Sequence, residues 1–180
     1  MKYLFSRAMK LIFLFMVCIL FIPSGCSVPN HAGFAIYLTK GDIPPEKMPS
    51  LNHIAIPDEP LVGIDDILTY NSSLYQITLN ENASNRISNL SVPMNGKPFV
   101  VCVNRKPIYW GVLWPVSSSG IAPASQVIVS YPLSHTVQMG QPEGMDPNIL
   151  QLDFYGSTDP RNDPKIIKSL EQAGKLTTNP

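Results

Sequence analysis

The sequence has 180 residues, with 13 basic and 13 acidic side chains, so its formal net charge at pH 7 is zero. A balanced chain lacks the basic face that attracts nucleic acid, which argues against a nucleic-acid partner. Its 18 prolines are spread along the chain and indicate stiff loops. The apolar segments between them are too frequent for a disordered protein.

The first 25 residues have the pattern of a secretory signal peptide. Three basic residues precede an uninterrupted apolar run at positions 11–22, which is short for a bilayer span of about 20 residues. A proline and two small residues then lead to Cys26. The segment resembles a bacterial lipobox, with Pro23 at the position where leucine is usual.

The lipobox resemblance implies that the signal peptide is removed and that the Cys26 thiol is acylated. We therefore expect a signal peptide at 1–25, a tether at 26–33 and a single domain at 34–180. The domain would be anchored to the membrane outside the cytoplasm, in the periplasm or on the outer cell surface, because two or three acyl chains hold a protein firmly. Export without lipidation and a buried amino-terminal helix with a free thiol are the alternatives.

The first half of the expected domain contains predicted strands, a loop and a helix. Residues 33–42 alternate apolar and polar side chains before a Gly-Asp turn, which predicts a strand. Five prolines at 43–63 exclude a continuous strand or helix and predict a loop. A strand is predicted at 74–79, followed by a helix that Asn80 caps. The apolar stripe of this helix is Ala83, Ile87 and Leu90.

The second half contains four more predicted strands and a helix. Strands at 99–103 and 108–114 flank a polar turn, and others are predicted at 126–133 and 148–156. The last helix begins with Asp163 as its cap and a proline at its first position. Two main helices and five or six strands predict an α+β fold, with the helices packed on a mixed or antiparallel sheet and with proline-rich loops.

Residues 75–129 carry a resemblance to a known family. Ile77–Asn80 form a strand end, Ala83 and Ile87 lie on the helix, and the segment 99–104 is an apolar strand that enters a polar turn. This order resembles the P1 head of the SecD protein-export subunit, which is periplasmic. The resemblance implies an α+β head and a location in the cell envelope.

The resemblance does not extend to the motor activity of SecD. Because no transmembrane helices follow the matched stretch in this sequence, we do not expect the protein to use a proton gradient. Asn104-Arg105 stands where the SecD head has Asp-Gly at the turn. Trp110 and Trp114 are additional to the pattern of that head.

No catalytic motif stands out. The three histidines are far apart and lack Cys or Glu partners at metal-ligand spacing. Cys102 lies in the apolar run FVVCVN without a CxxC pattern, which is typical of a buried core residue. Asp153, Asp159 and Asp163 fit turns and helix caps better than a calcium loop. We therefore predict a non-enzymatic protein with no metal and no cofactor.

The aromatic residues of one predicted strand are the best candidates for a binding surface: Tyr109, Trp110 and Trp114. Tryptophan is enriched at interaction hot spots, although packing inside the domain would also explain these side chains. We expect a binding or assembly module that takes an extended peptide or an envelope partner at an open sheet edge.

Two other functions remain open. A small envelope hydrolase would need a site assembled from distant loop residues, for which His53, Asp65 and Ser118 are the candidates. Their side chains would then converge within hydrogen-bond reach. A spacer without a ligand would show neither this convergence nor an exposed binding surface.

Overall fold

The computed structural model describes residues 32–133 and 146–178, which all belong to one compact unit at 31–180. Within these residues, two helices and two β-sheets confirm the predicted α+β class. The strands are β1 (Phe34–Leu38), β2 (Ile67–Asn71), β3 (Gln76–Leu79), β4 (Lys97–Val103), β5 (Lys106–Pro115), β6 (Val127–Tyr131), β7 (Ile149–Gln151), β8 (Asp153–Phe154) and β9 (Leu176–Thr177). The helices are α1 (Glu81–Ser88) and α2 (Pro164–Gln172).

The larger sheet has the strand order β1-β4-β5-β6-β8. β4 is antiparallel to β1 and β5, β6 is parallel to β5, and β8 is antiparallel to β6. β4 lies between two other strands of this sheet. Its unbroken apolar run is buried on both faces, as such a pattern predicts. The turn from β4 to β5 places Asn104 and Arg105 at φ values of 52° and 61°, the left-handed pair that a two-residue hairpin needs.

The smaller sheet has the order β7-β3-β2-β9, with β9 parallel to β2 and the other pairs antiparallel. Both sheets and both helices contribute to one core. Its largest fully buried side chains include Phe34 and Phe99 from the larger sheet, Tyr70 and Ile77 from the smaller, Ile87 from α1, and Ile166 and Leu170 from α2.

Both helices begin at the caps that the sequence predicts. The Asn80 side-chain oxygen accepts a hydrogen bond from the backbone N–H of Ala83 at 2.8 Å. The Asp163 carboxylate accepts one from the N–H of Lys165, also at 2.8 Å. Gly174 follows α2 at a φ of 66°, a conformation that stops a helix with little strain when the residue is glycine.

The proline-rich segment 43–63 is a loop, as predicted; it contains short 3-10 turns and covers part of the outer face of the larger sheet. Ile54 packs there in a second apolar cluster with Tyr37 and Cys102. Arg105 holds the loop from the β4–β5 turn, donating a hydrogen bond to the Asp58 carbonyl at 2.7 Å. Its guanidinium also lies 5.6 Å from the centre of the Tyr37 ring.

The strands are divided between two sheets, where the sequence predicts a single sheet. The predicted strand at 148–156 separates at Leu152 into β7 and β8, which pair with different sheets. Leu152 itself is fully buried, and its N–H donates to the Tyr75 carbonyl at 3.0 Å. Local alternation cannot reveal this change of partner, because the partner strands are distant in the sequence.

Candidate functional site

The three aromatic residues predicted to form a binding surface do not share one face. Tyr109 is 7% exposed and lies in the main core, where burial raises its pKa well above the ordinary value. Successive residues of a strand point to opposite faces, so Tyr109 and Trp110 are separated by the sheet. Tyr109 is therefore a core residue, which corrects its place in the predicted surface.

Trp110 and Trp114 lie on the outer face of the larger sheet. Trp110 is half-buried against the apolar cluster under the proline-rich loop, so it contributes to packing. Trp114 is half-buried between two backbone segments. A methyl group at Gly96 would lie 2.8 Å from the Trp114 ring, and one at Gly120 would lie 3.4 Å from it. Glycine at 96 therefore lets the chain approach this indole.

Trp114 adjoins an exposed apolar surface at the carboxyl end of β5. The Ser118 hydroxyl donates to the Met94 carbonyl at 2.8 Å, which brings the loop after β5 against the turn before β4. Met94, Val116 and Ile121 are 56%, 49% and 96% exposed. We name these three side chains and Trp114 the Trp114 patch. Exposed large apolar residues on adjoining segments are candidates for an interaction surface.

The sheet edges are less suited to strand addition than the sequence-based hypothesis requires. On β1, the N–H of Ile36 donates to the Val62 carbonyl, and the N–H of Leu61 donates to the Ile36 carbonyl, both at 2.8 Å. The other edge strands of the described chain, β7, β8 and β9, have only two or three residues. Short or covered edges discourage pairing with another chain.

The three residues of the hydrolase alternative are not brought together. His53 shares a hydrogen bond of 2.7 Å with Ser50 within one turn, and both are exposed. Ser118 bonds to backbone groups of Met94 and Gly120. Asp65 is exposed in a separate 3-10 turn. None of the three hydrogen-bonds to another, so the described chain contains no such triad.

Other predicted positions are placed as follows. Cys102 is fully buried, and burial raises its pKa to about 12, which suppresses thiolate chemistry. No group of three or more His, Cys, Asp or Glu side chains within the described residues could hold a metal ion. Cys26, His31 and His135 lie outside the described residues.

An open groove of about 540 Å³ lies where the chain enters β1. One face of α2 forms one wall, and the β4–β5 turn forms the other. Gly33 fixes the entry to β1 against the turn wall, because the N–H of Gly33 donates to the Asn104 side chain at 2.7 Å and the N–H of Asn104 donates to the Gly33 carbonyl at 2.8 Å. We name this the α2 groove; its lining includes Gly33, Ile64, Asn104, Lys165, Lys168 and Ser169.

Sequence reasoning named Trp114 but missed the exposed apolar residues on the segments beside it, and it missed the α2 groove. The helical spacing of Lys165, Lys168 and Ser169 places them on one side of α2, which is a readable signal, but nothing local shows that this side faces a groove. Ile121 stands in the segment PVSSSGIAPAS, whose Ser, Gly and Pro residues indicate only a loop. An isolated apolar residue in a loop is the signal that could have identified it.

Comparison of this chain with protein families, with curated proteins and with solved structures gives no match. Within the described residues, no helix has the length and apolar character needed to cross a membrane. The surfaces described above and the amino-terminal pattern are therefore the features of this chain that indicate a function.

Proposed function

We propose that this chain is a lipid-anchored, extracytoplasmic module that binds a protein partner through the Trp114 patch. The observation that carries this proposal is that three exposed apolar side chains lie on the two segments that adjoin a half-buried tryptophan. Burying this patch against a partner would remove apolar surface from water, which is the dominant favourable contribution to protein association.

The lipobox-like segment that ends at Cys26 and the resemblance to a periplasmic head both favour an envelope location.

The path of the chain through the domain is compatible with an anchor before β1 and a binding surface at a distance from it. It enters the domain at Gly33 beside the start of β5, whereas Trp114 lies near the end of β5. Lys106 and Trp114 are eight residue steps apart along β5, which corresponds to about 26 Å. A domain tethered at Cys26 would therefore hold its patch away from the tether.

The anchor is tested by Cys26→Ser in the native host. The mature wild-type protein is expected in the membrane fraction with an acylated position 26, and the variant is expected to be released. Mass spectrometry and membrane fractionation measure the two properties. A variant that stays as firmly bound as the wild type, or a wild-type chain with an unmodified thiol, contradicts anchoring through this residue.

The patch is tested with a photoreactive amino acid placed at Ile121 in the native host. We expect a discrete cross-linked partner that disappears when Met94→Asp and Val116→Asp are added, because the charges prevent apolar burial. The matched control places the same group at Leu68, which is 53% exposed on β2. Identical products at both positions would show nonspecific contact and contradict the proposal.

A further inference from the structure

The α2 groove collects hydrogen-bond donors and positive charge that nothing in the described chain uses. Lys165 and Lys168 are exposed on α2 and form no ion pair with described residues. No acidic side chain lines the groove. Two ammonium groups one helical turn apart, without a carboxylate between them, produce a local positive potential that attracts anions.

Ser169 adds a hydrogen-bond donor to the two lysines of the groove. The residue is only 8% exposed, yet it lines the groove. Its backbone carbonyl accepts from the N–H of Ala173 at 3.2 Å, whereas its hydroxyl has no hydrogen-bond partner among the described residues. A methyl group at Gly33 would lie 3.3 Å from this hydroxyl. The hydroxyl is accessible from the groove, since the Tyr37 hydroxyl is the only buried side-chain polar atom without a partner among the described residues, and it can donate a hydrogen bond to an anionic oxygen there.

The position of the groove indicates where the anion would come from. Gly33 lines the groove, and Cys26 lies only seven residues earlier in the chain. An extended chain of that length spans at most about 25 Å. A domain held by acyl chains at Cys26 therefore keeps the groove close to the headgroup layer. We propose that the α2 groove binds the phosphate of an anionic phospholipid in the membrane that holds Cys26.

This inference rests on the proposed lipid anchor and adds a second, reversible contact to it. Lys165 and Lys168 attract the phosphate, and the Ser169 hydroxyl donates a hydrogen bond to it. The contact would orient the tethered domain with α2 toward the membrane. Basic residues near an anionic surface contribute to binding additively and in a salt-dependent manner.

The test uses the mature lipidated protein reconstituted in vesicles, with an environment-sensitive fluorophore at Gln172→Cys on the rim of the groove. The vesicles contain phosphatidylcholine alone or phosphatidylcholine with phosphatidylglycerol. We expect a fluorescence change that requires phosphatidylglycerol, and we expect Lys165→Glu with Lys168→Glu to reduce it at least about tenfold. Lys40→Glu with Lys47→Glu is the control, because both residues are exposed and the net charge changes equally; it should retain the change.

Equal fluorescence in both kinds of vesicle, or equal loss in both double variants, would overturn the inference. A response to soluble glycerol phosphate on phosphatidylcholine vesicles, without a response to phosphatidylglycerol, would show a free-phosphate site and overturn the lipid source. Failure of the anchor is visible separately, because every variant would then fail to float with phosphatidylcholine vesicles and position 26 would be unmodified. Failure of the groove alone leaves flotation intact.

Discussion

Arg161 joins the carboxy-terminal segment to the core through one buried guanidinium. It is 9% exposed, and its Nε and Nη2 donate to the two carboxylate oxygens of Asp159 at 2.8 and 2.6 Å. Its Nη1 donates to the Leu152 carbonyl, and the group stacks 3.6 Å from the centre of the Tyr75 ring. The charge is therefore compensated by a bidentate carboxylate and an aromatic face, which suits arginine and not lysine.

Asp159→Asn should destabilise the domain by about 2 kcal/mol, because the buried guanidinium would lose its counter-charge. The matched control is Asp163→Asn, in which asparagine caps α2 about as well as aspartate and the free energy of unfolding should change by less than about 0.5 kcal/mol. Urea unfolding followed by circular dichroism measures both. Equal changes in the two variants would contradict the role assigned to the Asp159–Arg161 pair.

The same pair predicts a pH dependence. Hydrogen bonds from Arg161 hold the pKa of Asp159 below its ordinary value, although burial opposes this. A depressed folded-state pKa stabilises the domain above the unfolded pKa of about 3.9, and this contribution disappears as the pH falls through the folded-state value. The stability difference between wild type and Asp159→Asn should thus be constant near neutral pH and shrink in acid. A difference that grows in acid would refute this.

At the residue scale, the sequence predicted the local role of Asp159 and not its long-range one. Its side chain accepts from the N–H of Arg161 at 3.0 Å, which is the turn that the Asp-Pro pattern indicates. The contacts of Arg161 with Leu152 and Tyr75 join segments that no short-range pattern connects. The same limitation applies to Trp110, whose cover comes from a loop far earlier in the chain.

At the scale of elements, the contact between β4, β5 and β6 depends on a glycine. An added methyl group at Gly111 would lie 2.4 Å from both the Phe99 ring and the backbone carbonyl of Val127. Glycine inside a strand often marks such a close approach. The sequence shows the glycine at this position but not the two groups that exclude a side chain.

Gly111→Ala should therefore lower the free energy of unfolding by at least about 2 kcal/mol, because the carbonyl cannot move without disturbing the sheet. Gly63→Ala is the control, since its nearest neighbour would lie 3.6 Å away and its φ of −96° is open to alanine. That change should stay within about 0.5 kcal/mol. Thermal and urea unfolding measure the change in the free energy of unfolding for both variants. Equal changes in the two variants would contradict the proposed steric conflict.

At the scale of the whole molecule, the closed two-sided cover of the larger sheet should protect Cys102. Burial raises its pKa to about 12, and access requires opening of the sheet or of the proline-rich loop. Labelling of Cys102 by a thiol reagent at pH 8 should be slow and should accelerate in urea with unfolding. The variant Ser119→Cys, with an exposed thiol, should react at once. Rapid labelling of Cys102 in native buffer would disprove this protection.

The α+β class was predictable because helix caps, strand alternation and turn residues act over a few positions. The division into two sheets was not, because β9 has two residues and owes its existence to pairing with β2. The α2 groove is likewise a product of assembly, since Gly33, Asn104 and Lys168 come from three separate segments. Surfaces of this kind emerge only after the core is built.

The reciprocal bonds between Gly33 and Asn104 also have a mechanical consequence. A membrane pulling on the tether would apply force at the first residue of β1, while a partner at the Trp114 patch would resist at the far end of β5. That line of tension runs along the strands, and ladder hydrogen bonds lie across it. Under the proposed anchor and the proposed patch, the load would therefore be shared in shear by many ladder hydrogen bonds at once.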